Sequence, residues 1–182
     1  AWLILALLGA VGMAFLTIFK PKLARVTGVI YAVLEGLVIG AISSLYDAQY
    51  NGIVFSAVAV TIGVFVVMLG LYASGAIKVT NRLRMGIIGA TLGVALVYLV
   101  SIVLSLFGVH VPMIHDSGPV GIIFSLVVVA IAAFNLLLDF DLIERGVAMR
   151  APRYMEWYAA FGLILTLVWL YLEILRLLTK LQ

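Results

Sequence analysis

Residues 120–138 read VGIIFSLVVVAIAAFNLLL, and the chain runs on as DFDLIERG through Gly146. Only Ser125 and Asn135 interrupt the apolar stretch besides its glycine, before Asp139 and Asp141 close it. A helix needs ~20 apolar residues to cross hydrocarbon, so the stretch reads as a membrane span with two acids at its end. Charge in hydrocarbon costs from about 3 to more than ~10 kcal/mol, and such groups seldom persist there without a use.

Outward from that phrase, the rest of the chain has the same character. Its 182 residues are 66% hydrophobic and 10% charged, more apolar surface than a soluble core of this size can hide. Six stretches are long enough to span: 2–19, 26–45, 53–74, 85–107, 119–138 and 155–178. None alternates as a barrel strand does. The expected fold is all-α, a polytopic transmembrane bundle forming one domain over residues 1–182. The lipid bilayer is its first partner. Residues 1–19 lack a basic n-region and a small-residue cleavage site, so they do not read as a cleavable signal. The chain opens inside an apolar segment, so an upstream piece is expected.

Orientation follows from the cations. Lys20, Lys22 and Arg25 lie in the first connector, Lys78, Arg82 and Arg84 in the third, and Arg145, Arg150 and Arg153 in the fifth. Nine of the eleven Lys and Arg residues thus share one side, which the positive-inside rule makes cytoplasmic. Asp47, His110, His115 and Asp116 then face the other side.

Small residues form two stripes. Gly28, Ala32, Gly36, Gly40 and Ser44 recur at i, i+4 on the second span, and Gly89 and Gly93 on the fourth. Such stripes let helix backbones approach closely in lipid, so both are expected at helix contacts.

Three further features concern the acids. Asp139 shares a face with Asn135 one turn deeper, which carries a polar stripe into the membrane. Asp141 has Arg145 at i+4, the pattern of an ordinary helix-end ion pair. Glu173 belongs to a stripe of Gly162, Thr166, Trp169, Glu173, Arg176 and Lys180 on an otherwise apolar helix. That stripe is expected to face the bundle interior or a water-filled path, although Arg176 and Lys180 are also placed to solvate Glu173. Glu35, about ten residues (~15 Å) along its helix, adjoins Gly36 and is expected to face a neighbouring helix, either as an ionisable site or as a hydrogen-bonding group.

The pattern excludes much. There is no HExxH, GxSxG, P-loop or CxxC, so no enzyme is expected, and the absence of cysteine excludes disulfides and thiolate metal sites. His110, His115 and Asp116 are a weak metal pattern on a connector. The basic connectors are too sparse for a nucleic-acid binder and are explained by topology. No cofactor is implied.

The phrases LLLDFDLIERG (136–146) and YAAFGLILTLVWLYLEILRLL (158–178) resemble the C-terminal half of the Bax inhibitor family, with its bacterial YccA-like branch nearest. The resemblance implies a seven-helix bundle with a central last helix, here without its first span, in a bacterial inner membrane. It also implies a pH-sensitive Ca²⁺ leak, in which two acids on the last two helices share a proton and hold a pore shut. An arginine from an earlier helix pairs with them. The family's first acid opens an acid-x-x-x-Ile phrase and matches Asp139 with Ile143. The second falls on Glu173 if Leu170-Tyr171-Leu172-Glu173 is matched, or on Thr166 if Tyr158-Ala159-Ala160 and Arg176-Leu177-Leu178 stay in register. In a straight helix Glu173 lies about 27 Å from the cytoplasmic edge, too deep to meet Asp139 easily, whereas Thr166 has the right depth and no carboxyl. Asp141 and Glu35 are alternative partners, and Arg25, with Lys20 and Lys22 nearby, is the candidate latch. On this reading Asp139 and Glu173 are the oxygen ligands offered to a permeant Ca²⁺ or proton. The competing expectation is a non-conducting protein that binds a membrane protease or stress complex.

Overall fold

The computed structural model describes residues 2–107 and 118–182. His110, His115 and Asp116 lie outside the described residues. Those described fold into six long helices and one short 3-10 turn, with no strand among them. The helices are α1 (Trp2–Phe19), α2 (Ala24–Gln49), α3 (Ile53–Ala73), α4 (Asn81–Leu106), α5 (Pro119–Ala148) and α6 (Tyr154–Lys180), and the turn is Pro21–Leu23. All six helices are long and apolar enough to cross a membrane. In such a medium the backbone must satisfy itself, which a helix does within the segment.

The ends are set by local chemistry. Thr80 caps α4, its hydroxyl accepting from Leu83 N at 3.2 Å. Between α2 and α3, Gly52 turns at φ 78° while its N–H donates to Asp47 Oδ1 at 3.1 Å. Helix α5 outruns its expected end at Leu138 by ten residues and stops only at Ala148. Nothing in DFDLIERGVA forbids a helix, and Arg145 Nε bonds Asp141 Oδ1 at 3.0 Å along it. The stop is a Schellman-type turn. Arg150 N donates to Val147 O and Ala151 N to Gly146 O, with Arg150 at φ 51° where glycine is the usual occupant.

The chain divides into two compact units, Ala1–Val54 with Asp139–Val168, and Phe55–Leu138 with Trp169–Gln182. In the first, α1 and α2 form an antiparallel hairpin. Thr17 donates to Thr27 at 2.7 Å near the connector, and Gly9 lies so close to Leu34 that a Cβ there would meet its methyl at 3.1 Å. The hairpin packs on α6 through a core of Ala10, Tyr31 and Phe161, the two rings edge to face at 5.0 Å. Gly28 is part of that contact, since a Cβ there would stand 3.4 Å from Phe161.

The small-residue stripes do not pack as expected. Only the Gly28 end of the α2 stripe is covered. Gly36, Gly40, Gly89 and Gly93 have nothing within reach of an added Cβ. Spacing makes a face smooth, but a partner must be there to use it, and among the described residues none meets these four glycines.

In the second unit the polar groups of apolar helices find one another. Asn135 on α5 donates to Thr91 on α4 at 2.8 Å, and Tyr98 on α4 meets Phe124 on α5 edge to face at 6.4 Å. Lys180 at the end of α6 donates to Gly121 O at 3.0 Å.

Candidate functional site

Two carboxylate sites emerge, one in each unit. In the first, Asp139 on α5 faces α6 where that helix is smallest: a Cβ on Gly162 would lie 3.5 Å from Asp139 Oδ1. The Thr166 hydroxyl, which donates to the Gly162 carbonyl at 3.2 Å, also stands beside the Asp139 carboxyl. Thr166 is buried, and Asp139 Oδ2 is buried with no hydrogen-bond partner among the described residues. A buried carboxylate oxygen without a donor is costly as a bare anion, so it must carry a proton or meet a cation.

The glycine is what permits this approach. Gly162 and Thr166 are one turn apart, so they present a notch and a hydroxyl to the same side of α6. Asp141, two residues on from Asp139, is itself buried at 8% exposure, and it has Arg145 as its ion partner at 3.0 Å. It is the helix-end pair its spacing suggested.

In the second unit Glu173 is buried at 2% exposure and fully engaged. Its Oε1 accepts from Tyr98 Oη at 2.8 Å and from Trp169 Nε1 at 3.2 Å. Arg176 lies 3.3 Å from Oε2, donates to the Tyr98 hydroxyl at 2.6 Å, and stacks its guanidinium 5.1 Å from the Tyr98 ring centroid. The charge is therefore paired and hydrogen-bonded, the condition under which a buried ion is tolerated.

The structure thus brings Thr166 to Asp139's side within the first unit. Glu173 has its own partners in the second. Glu35 is half-buried and borders a hollow of about 220 Å³ between α1 and α2, lined by Tyr31, Leu7, Val11 and Phe15 among others. Arg25 is exposed and shares a surface pocket with Lys22 and Arg153. Among the described residues no group of three or more His, Cys, Asp or Glu is placed to hold a metal ion.

Tyr98 escaped the sequence reading. The one available signal was a tyrosine in mid-span, away from the interfaces that aromatic hydroxyls favour. Thr91, the partner of Asn135, was equally silent.

These six helices, with ionisable groups buried between them, define a multi-pass helical membrane protein. The chain matches the family described as Bax inhibitor 1 like over residues 1–182, its whole length, and belongs to that family. No curated protein and no solved structure matches it.

Proposed function

We propose that this protein lets cations, Ca²⁺ foremost, pass down their gradient through a bacterial inner membrane, with flux set by the protonation of Asp139. The basic connectors face the cytoplasm. The observation that carries the reading is the Asp139 carboxyl: Thr166 stands beside it, and Oδ2 is buried with no donor among the described residues. Such a group responds to a proton or a cation because no described residue satisfies its second oxygen. A hard oxygen suits Ca²⁺, and a single carboxylate gives the weak, transient contact that passage requires.

Glu173 has the opposite character. Its charge is matched by Arg176 and its oxygens by Tyr98 and Trp169, so it acts as a fixed anchor of α6 rather than the titrating partner of Asp139. The family's second acidic position is then held here by Thr166, and one carboxyl does the work of two.

The test is reconstitution of the pure protein in liposomes with Ca²⁺ inside a pH series. Wild-type flux that changes with pH, and an Asp139→Asn variant that does not, support the proposal. Absence of flux from folded protein overturns it.

A second reading draws on the open small-residue faces at Gly36, Gly40, Gly89 and Gly93. On that reading the protein conducts nothing and binds a membrane protease or stress complex through those faces. Stable capture of such a complex together with silent liposomes favours it.

A further inference from the structure

The end of the first unit that carries Lys22 and Arg153 holds a pocket that the acids of the spans do not explain. It has a volume of about 530 Å³ and is lined by Lys22, Arg25, Arg153, Tyr154, Glu156 and Trp157. The two cations from the first connector and start of α2, and the one from the α5–α6 connector, make no ion pair among the described residues. Three cations therefore converge on one concavity against a single carboxylate. Like charges gathered without counterions repel, and they persist where an anion is supplied from outside.

The setting selects the anion. These connectors end membrane spans, so the pocket lies at headgroup level, where Tyr154 and Trp157 are the interfacial aromatics. A second, apolar groove of about 470 Å³ runs between α5 and α6, bordered by Leu142, Val147, Met155, Ala160 and Leu163. Glu156 lines both hollows. A cationic pocket and an apolar groove sharing a wall fit an amphipathic ligand: phosphate on one side, acyl chain on the other. A free phosphate fits only the first.

We infer that this paired hollow binds an anionic phospholipid, its phosphodiester held by Lys22, Arg25 and Arg153 and one acyl chain in the groove between α5 and α6. Phosphatidylglycerol suits the site best, because its glycerol hydroxyls are donors for Glu156. The inference does not rest on conduction, since neither the cationic pocket nor the apolar groove is lined by Asp139.

The test is native mass spectrometry of the whole detergent-purified protein, counting retained phosphatidylglycerol against phosphatidylcholine of the same chains. Selective retention of phosphatidylglycerol is expected; equal retention overturns the assignment. Arg25→Gln with Arg153→Gln should weaken retention about thirty-fold, at roughly five-fold per basic residue at an anionic surface. Lys78→Gln with Arg82→Gln removes the same charge from another connector and should leave retention unchanged. Equal losses in the two variants reduce the effect to bulk charge and overturn the site. Inorganic phosphate is the remaining arm. If it displaces the lipid as well as phosphatidylglycerol does, the ligand is a free anion and the lipid assignment fails.

Discussion

The Tyr98 hydroxyl donates to Glu173 Oε1 at 2.8 Å and accepts from Arg176 Nη1 at 2.6 Å, so one phenol joins both halves of a buried ion pair across two helices. Removing the hydroxyl weakens two charge-assisted bonds at once. Tyr98→Phe should cost about 1–3 kcal/mol. Thr91→Val breaks one neutral bond, to Asn135, and should cost nearer ~0.6 kcal/mol, the usual figure for a polar contact between membrane helices. Thermal unfolding in detergent ranks the two. A larger effect at Thr91 contradicts the assignment of Tyr98 as the bridge.

Arg176→Met leaves Glu173 buried without its cation and should cost about 3–5 kcal/mol. Adding Glu173→Gln removes the stranded charge, so the double variant should recover part of the loss. The same melts decide this. If the two losses simply add, the pair is not coupled.

Phe161 plugs the first unit between Tyr31 and Gly28. Phe161→Ala should cost about 3–5 kcal/mol through the cavity it leaves. Gly36→Ala, on the open part of the same α2 stripe, should change the melting temperature hardly at all in the isolated protein. A marked loss at Gly36 means that another copy or partner covers that face.

Arg150 holds a left-handed conformation at φ 51° in the turn closing α5. Arg150→Gly relieves a cost of about 1 kcal/mol and should raise stability by up to that amount. A lower melting point shows that the arginine side chain contributes more than the strain it carries.

The spans were legible because lipid demands long, uninterrupted apolar helices, and the chain supplies six. The polar stripe of α6 was legible too: Thr166 and Glu173 recur at helical spacing, and both are buried in the fold. The end of α5 was not, because charged residues stop a membrane span without stopping a helix. Asp139 to Ala148 is all helix-compatible, and the break comes only at the Arg150 turn. Tyr98 was hidden for a different reason. Its partner lies 75 residues away, beyond any local periodicity. The glycines at 36, 40, 89 and 93 show the limit of pattern: equal spacing holds at Gly28, yet only Gly28 has Phe161 opposite it. For the neighbour of Asp139, depth fits Thr166 and the Leu-Tyr-Leu-Glu phrase fits Glu173, so the sequence leaves both open; within the first unit Thr166 stands beside Asp139.

Everything proposed for conduction converges on one unpartnered oxygen, Asp139 Oδ2. The direct measurement is Ca²⁺ flux into liposomes, from acid to neutral pH, for wild type and Asp139→Asn side by side. Asparagine imitates the protonated carboxyl in size and charge. The account predicts a wild-type flux that varies with pH, and a variant flux that stays flat at the wild-type acid value. A variant that keeps the wild-type pH profile contradicts it.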